Sequence, residues 1–161
     1  MNEARLRRPV LLAAITLLAA GCTGAAVDPL GMQIIDDVSP IKPMVIDHIC
    51  VQVNTSVKQA FTDGVFETVQ SLGIETQSMQ TAFAGECPYW LRYDATWNGF
   101  PSYLVTARVE VYEGNSRLGN VIYDARRGGG RPDRYGSAMG KIRPLIEGMF
   151  HHVQRESAHA Q

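Results

Sequence analysis

Residues 103–112 read Tyr-Leu-Val-Thr-Ala-Arg-Val-Glu-Val-Tyr. Leu104, Val105, Val109 and Val111 sit among Thr106, Arg108 and Glu110, the pattern of a strand with one dry face. Glu113-Gly114-Asn115-Ser116 follows as a hairpin loop, and a returning strand runs from Leu118 to Ala125 with Val121, Ile122 and Tyr123. Upstream, Cys87 to Trp97 alternates Tyr89, Leu91, Tyr93 and Ala95 against Trp90, Arg92 and Asp94. Asn98-Gly99-Phe100-Pro101 turns the chain between these strands.

Working outward, Met44 to Val53 reads as the first strand, with Ile49, Val51 and Val53 inward and Cys50 and Gln52 on the other face. Asn54-Thr55-Ser56 offers helix N-caps. A helix to about Leu72 carries Val57, Phe61, Val65, Val69 and Leu72 on one stripe, Phe66 opposite, and Gly73 as its C′ residue. Ile74 to about Phe83 is a further strand, reached by so short a crossover that parallel pairing is expected. A loop spans Arg126 to Arg134. A second helix over 135–153 has the stripe Tyr135, Met139, Ile142, Ile146, Met149 and Val153, and Pro144 predicts a kink or break in it. The expected fold is α+β: a two-layer sandwich of an antiparallel-rich sheet of about five strands, with two helices packed on one face.

The whole chain has 161 residues, 45% apolar, with 15 basic and 16 acidic side chains. That balance excludes a broadly basic nucleic-acid binder and a highly charged disordered chain. Its beginning is different in kind. Arg5, Arg7 and Arg8 precede an apolar run, Val10 to Ala20, of eleven residues. Such a run is too short to span a bilayer, which takes about 20 residues, and it has the grammar of a signal peptide. Leu18-Ala19-Ala20-Gly21-Cys22 resembles the lipobox of bacterial lipoproteins. That resemblance implies cleavage before Cys22, acylation of Cys22 with palmitate-type chains, and, with Thr23 next, sorting to the outer membrane. Residues 1–21 hold three basic residues and one acidic residue, so the expected mature chain has 140 residues, 12 basic and 15 acidic, net −3. The expected organisation is a signal peptide over 1–21, a lipidated N-terminus and Pro/Gly-punctuated tether over 22–43, a periplasmic domain over 44–153, and a disordered polar tail over 154–161.

Cys50 and Cys87 remain, and in an oxidising compartment two leftover cysteines read as one disulfide. Two free thiols, or a Cys–His pair made with His48, are the alternatives; metal-ligand spacing such as C-x-x-C is absent, and no metal or cofactor is expected. His151 and His152 diverge on a helix and do not grip one ion.

The stretches Ile46-Asp47-His48-Ile49-Cys50, Glu86-Cys87-Pro88-Tyr89, Leu91-Arg92-Tyr93, Ser102-Tyr103-Leu104 and Lys141-Ile142-Arg143-Pro144-Leu145-Ile146 occur in this order. Together with the lipobox they resemble the Sbal-type family of small proteobacterial outer-membrane lipoproteins, over about Val45 to Phe150. The resemblance implies a location and an architecture and carries no activity. The Gly/Arg loop before the last helix is longer here than in the family pattern.

Two candidate surfaces follow. Arg126, Arg127, Arg131 and Arg134 surround Gly128-Gly129-Gly130, a composition suited to a phosphate or carboxylate. Trp97 and Phe100, beside the turn, are the aromatics expected to be exposed, whereas Tyr89 and Tyr93 are expected in the core. No nucleophile motif accompanies Asp47 and His48. The expected function is therefore non-enzymatic: a membrane-anchored accessory or assembly factor with an envelope protein partner. The alternative is a binding module for lipopolysaccharide phosphate or peptidoglycan carboxylate through loop 126–134.

Overall fold

The computed structural model describes residues 37–80, 87–100, 102–127 and 135–154. The expected signal segment, Cys22, Pro101, Arg131 and Arg134, and the residues after Gln154 lie outside the described residues. In chain order the elements are β1 (Asp37–Ser39), β2 (Met44–Val45), β3 (His48–Gln52), α1 (Gln59–Ser71) and β4 (Glu75–Met79). Then come β5 (Tyr89–Trp97), β6 (Leu104–Glu113), β7 (Ser116–Asp124), α2 (Ala138–Met149) and β8 (Val153–Gln154). A six-stranded sheet has the order β1-β7-β6-β5-β3-β4, and β2 pairs with β8 separately. The pairs β3–β4 and β3–β5 are parallel and the other pairs of the large sheet antiparallel. The fold is thus the expected α+β sandwich, with a mixed sheet of six strands.

The alternating strands put Leu91, Tyr93, Val109, Val111, Val121 and Tyr123 on one face, all buried. Phe61, Val65 and Val69 of α1 and Ile142, Ile146 and Met149 of α2 join the same core. Each buried aliphatic or aromatic side chain contributes roughly 1.5–3 kcal/mol, so these stripes hold both helices on the sheet. At Gly64 the two helices come so close that a Cβ there would overlap the Met139 side chain. Gly73 ends α1 at φ 77°, in the left-handed region that a C′ glycine supplies, and its N–H donates to the Gln70 carbonyl at 2.8 Å.

Several local expectations are revised. The first strand divides into β2 and β3, because Ile46 and Asp47 interrupt the pairing. Lys58, not Asn54–Ser56, is the N-cap of α1, and it makes no side-chain cap bond. Asn54 instead closes the preceding turn: its Oδ1 accepts the Ser56 N–H at 3.0 Å. Helix α2 is unbroken across Pro144. The carbonyl that Pro144 deprives of a donor belongs to Gly140, an exposed residue to which water has access, while buried Ile142 and Ile146 hold the helix down. Tyr135 leaves the apolar stripe: it precedes α2, is 68% exposed, and meets Tyr103 edge-on at 5.7 Å. Gln154 is not frayed, since β8 pairs it with Val45.

The domain also begins before residue 44. Asp37–Ser39 pairs antiparallel with Asn120–Ile122 of β7. Ile41 is fully buried, and its N–H donates to the Met149 carbonyl at 2.9 Å. Gly119 makes this possible, because a Cβ there would lie 2.7 Å from Ile41 Cγ1 and 2.9 Å from the Ser39 carbonyl oxygen. The C-terminal part of the expected tether is therefore an edge strand and a core plug. Cys50 and Cys87 form a disulfide with Cα atoms 6.0 Å apart across a sequence separation of 37. Closing such a loop contributes about 4 kcal/mol in the chain-entropy account. Replacing Ile41 by Ala should lower unfolding free energy by about 2–5 kcal/mol in a denaturant titration; a change under about 0.5 kcal/mol would return residues 41–43 to the tether.

Candidate anion-binding face

Because both helices cover one side of the sheet, the alternate residues of β5, β6 and β7 face the other side. Register sets Arg92 opposite Glu110 and Glu110 opposite Asn120. One step along, Asp94 stands opposite Arg108 and Arg108 opposite Ile122. Thr96, Thr106 and Asp124 form the next row. A cleft of about 820 Å³ lies on this face, bordered by β5, β6, β7, the end of β3 and the start of loop 126–134. Typical ligand sites have about that volume but are mainly apolar, whereas this one is lined by Arg92, Arg108, Arg126, Arg127, Asp94, Glu110 and Asp124.

The carboxylates are largely committed. Glu110 is buried; its Oε2 accepts from Arg92 Nε at 2.6 Å and its Oε1 from Arg117 Nη1 at 3.2 Å. Burial pushes the Glu110 carboxyl up, but the hydrogen bonds from Arg92 and Arg117, with the charges of Arg92 and Arg108, outweigh burial and hold it below its ordinary value. Asp124 accepts from Arg126 Nε and Nη2, each at 2.9 Å, and from the Arg126 backbone N–H at 2.9 Å. These bonds, the side-chain one foremost, bring the Asp124 carboxyl down to about 2. Arg127 Nε adds a weaker contact with Asp124 at 4.0 Å. Among the described residues, Arg108 makes no ion pair or hydrogen bond through its guanidinium. Five arginines, counting Arg117, thus meet three carboxylates, and the face carries surplus positive charge.

An aromatic stack adjoins the arginines. Trp90 lies parallel to Tyr112 with centroids 4.4 Å apart, and the Arg92 guanidinium sits 5.0 Å from the Tyr112 centroid. Trp90 Nε1 donates to the Gly114 carbonyl at 2.7 Å. On the core face, Tyr93 Oη donates to Thr62 Oγ1 at 2.9 Å, which satisfies its buried hydroxyl.

Of the residues singled out from sequence, Arg126 and Arg127 reach the cleft. The two aromatic candidates separate. Phe100 is 95% exposed, as expected. Trp97 is half-buried: it meets Phe61 edge-on at 5.7 Å, and Lys58 Nζ lies 4.9 Å over its ring. Tyr93 belongs to the core, and Tyr89 is half-buried against it. Arg92, Arg108 and Glu110 were not among the site candidates, although their signal was present as the polar half of the strand alternation. None of the described helices is long and apolar enough to cross a membrane.

No family model and no curated protein matches the chain. Among solved structures the chain is similar to the PelC dodecamer from Paraburkholderia phytofirmans, at 13% identity and TM-score 0.47, over 76% of this chain and 99% of that one.

Two predictions concern this face and its edge. Glu110 and Asp124 have lower carboxyl values in the fold than in the unfolded chain. They contribute stability above the ordinary carboxylate range and lose it as pH falls through their folded values. Unfolding free energy should therefore decline from the ordinary carboxylate values toward pH about 2. Glu110→Gln should lose about 1–2 kcal/mol at neutral pH, at the low end because both arginine partners are half-exposed. It should also flatten the acid limb, and parallel curves for the two proteins would contradict the assignment. Trp97→Ala should cost about 1–3 kcal/mol as a partly buried aromatic, and Phe100→Ala no more than about 0.5; equal midpoints in thermal unfolding would contradict the separation.

Proposed function

We propose that this chain is a lipid-anchored binding domain on the periplasmic side of the outer membrane, and that the sheet face away from the helices takes an anionic envelope ligand without catalysing a reaction. The observation that supports this best is the surplus of guanidinium around the cleft: Arg108 without an ion-pair partner among the described residues, and Arg126 and Arg127 entering from the loop. Planar guanidinium forks match carboxylate and phosphate with paired hydrogen bonds. Lipopolysaccharide phosphates and peptidoglycan carboxylates are ligands of that chemistry in the compartment implied by the Leu18–Cys22 motif. Cys22 supplies the anchor in this reading, and several acyl chains on one residue give stable attachment.

The character of the cleft supports binding over catalysis. Four guanidinium groups, of Arg92, Arg108, Arg126 and Arg127, dominate its charged lining. Glu110 and Asp124 are both held below ordinary carboxylate values by arginines, so neither has a proton to donate near neutral pH. A protein partner is a second reading, supported by Phe100 and Tyr135, which are 95% and 68% exposed.

A ligand titration and an in vivo crosslink separate the two readings. Lipopolysaccharide and soluble peptidoglycan fragments are titrated into the full chain at rising salt, with Arg108→Ala/Arg126→Ala/Arg127→Ala and Phe100→Ala beside the parent. Anion binding should weaken steeply with salt, fall at least about tenfold in the triple variant, since each charge-assisted hydrogen bond is worth roughly 1.5–3 kcal/mol, and survive Phe100→Ala. Binding unchanged in the triple variant would sink the anionic-ligand reading. An in vivo crosslink lost in Phe100→Ala alone would favour the protein partner.

A further inference from the structure

The Cys50–Cys87 bridge has a third donor beside it. His48 precedes Cys50 by two residues on β3, so both side chains leave the strand on one face. The donor atoms of His48, Cys50 and Cys87 all lie within 4.8 Å of one another. Cys50 and Cys87 are 2% and 3% exposed, and His48 is half-buried. The backbone under this trio is rigid: β3 is paired on both sides, with Cys50 opposite Gln77 of β4 and Trp90 of β5. Sequence spacing conceals the set, because Cys87 comes from the far end of a separation of 37.

We propose that, once the disulfide is reduced, His48, Cys50 and Cys87 form a binding site for a soft, thiophilic cation of the cuprous or zinc class. Two thiolates and one imidazole are the donors such ions prefer. With metal–sulfur bonds near 2.3 Å and metal–nitrogen bonds near 2.0 Å, coordinated donors stand about 3.5–4 Å apart. Once the bond between them is broken, the two sulfurs must separate to about that distance, while the imidazole nitrogen, within 4.8 Å of both sulfurs, moves in by up to about an ångström; side-chain rotation serves both movements. Three protein donors suit three-coordinate cuprous ion directly and leave zinc a fourth position for water.

The disulfide and the metal site are mutually exclusive. A phosphine or a dithiol breaks the S–S bond, and the sulfurs gain two electrons and two protons. The phosphine takes oxygen from water, which also supplies the two protons, and becomes its oxide; or the dithiol gives up its own two protons and becomes a disulfide. The cation then displaces both protons and takes the thiolates. An added disulfide such as oxidised glutathione takes two electrons and two protons from the metal-free dithiol, becomes two thiols, and so restores the bridge.

The test uses the full chain in detergent, reduced with a phosphine, and titrated anaerobically with cobalt(II) as the zinc surrogate and separately with cuprous ion. One equivalent should bind in at least one arm, read as a thiolate-to-cobalt charge-transfer band or as competition for cuprous ion with a chromogenic chelator. The oxidised chain should show neither signal. His48→Ala, which keeps both thiols and the ability to form the bridge, should weaken binding at least about tenfold. Should reduction unfold the chain, one equivalent of metal should restore its native circular dichroism. The proposal is overturned if the reduced chain binds neither ion, if His48→Ala binds as tightly as the parent, or if metal fails to refold a reduced chain that has unfolded.

Discussion

The apolar stripes of α1 and α2 meet the same side of the sheet. Phe61, Val65 and Val69 come from one helix, Ile142, Ile146 and Met149 from the other, and both sets close over Leu91, Val109, Val111 and Tyr123. Strand geometry leaves no freedom about what happens next. Each residue between two buried ones must point away from the helices, so Arg92, Asp94, Arg108 and Glu110 are delivered to the opposite side in rows fixed by strand register. Burial on one face and charge assembly on the other are thus a single event. A slip of one residue in β6 would bury Arg108 and expel Val109.

Charge balance on the side away from the helices is local. Glu110 lies low in the surface and is reached by Arg92 and Arg117, while Asp124 is reached by Arg126 and Arg127. Each carboxylate organises two guanidinium groups, and neither holds them completely, since the arginines remain half-exposed or more. Such pairs contribute modestly to stability, but they hold the arginine side chains in defined positions. Arginines fixed in advance lose less side-chain freedom on meeting a ligand than free ones do.

The long strands and both helices are legible in the sequence because their apolar residues repeat with a clear period. The dry faces of β5 and β6 and the stripe from Val57 to Val69 need no tertiary information. What is not legible depends on partners distant in the chain. Asp37-Val38-Ser39 has one apolar residue and a proline beside it, and only the hydrogen bonds of β7 make it a strand. The pairing of Met44 with Val153 joins residues from opposite ends of the domain. Trp97 and Phe100 look alike in sequence, and the position of Phe61 distinguishes them. For the candidate face, Arg126 and Arg127 stand out as a doublet next to glycines, whereas Arg92 and Arg108 look like ordinary solvent-facing strand residues until register places them beside the same cleft. Arg131 and Arg134 lie outside the described residues.

The bridge between Cys50 and Cys87 encloses α1 and β4, which lie wholly between the two cysteines. Strand β4 is the outermost strand on its side, held by β3 alone in the large sheet. Edge strands are where a sheet opens first and where proteases find extended chain. A single backbone cut anywhere in this ring would leave both pieces joined through sulfur. The nicked chain would run at full mass under non-reducing conditions and separate only after thiol treatment. One open margin of the sheet is thus enclosed in a covalent loop that survives one break.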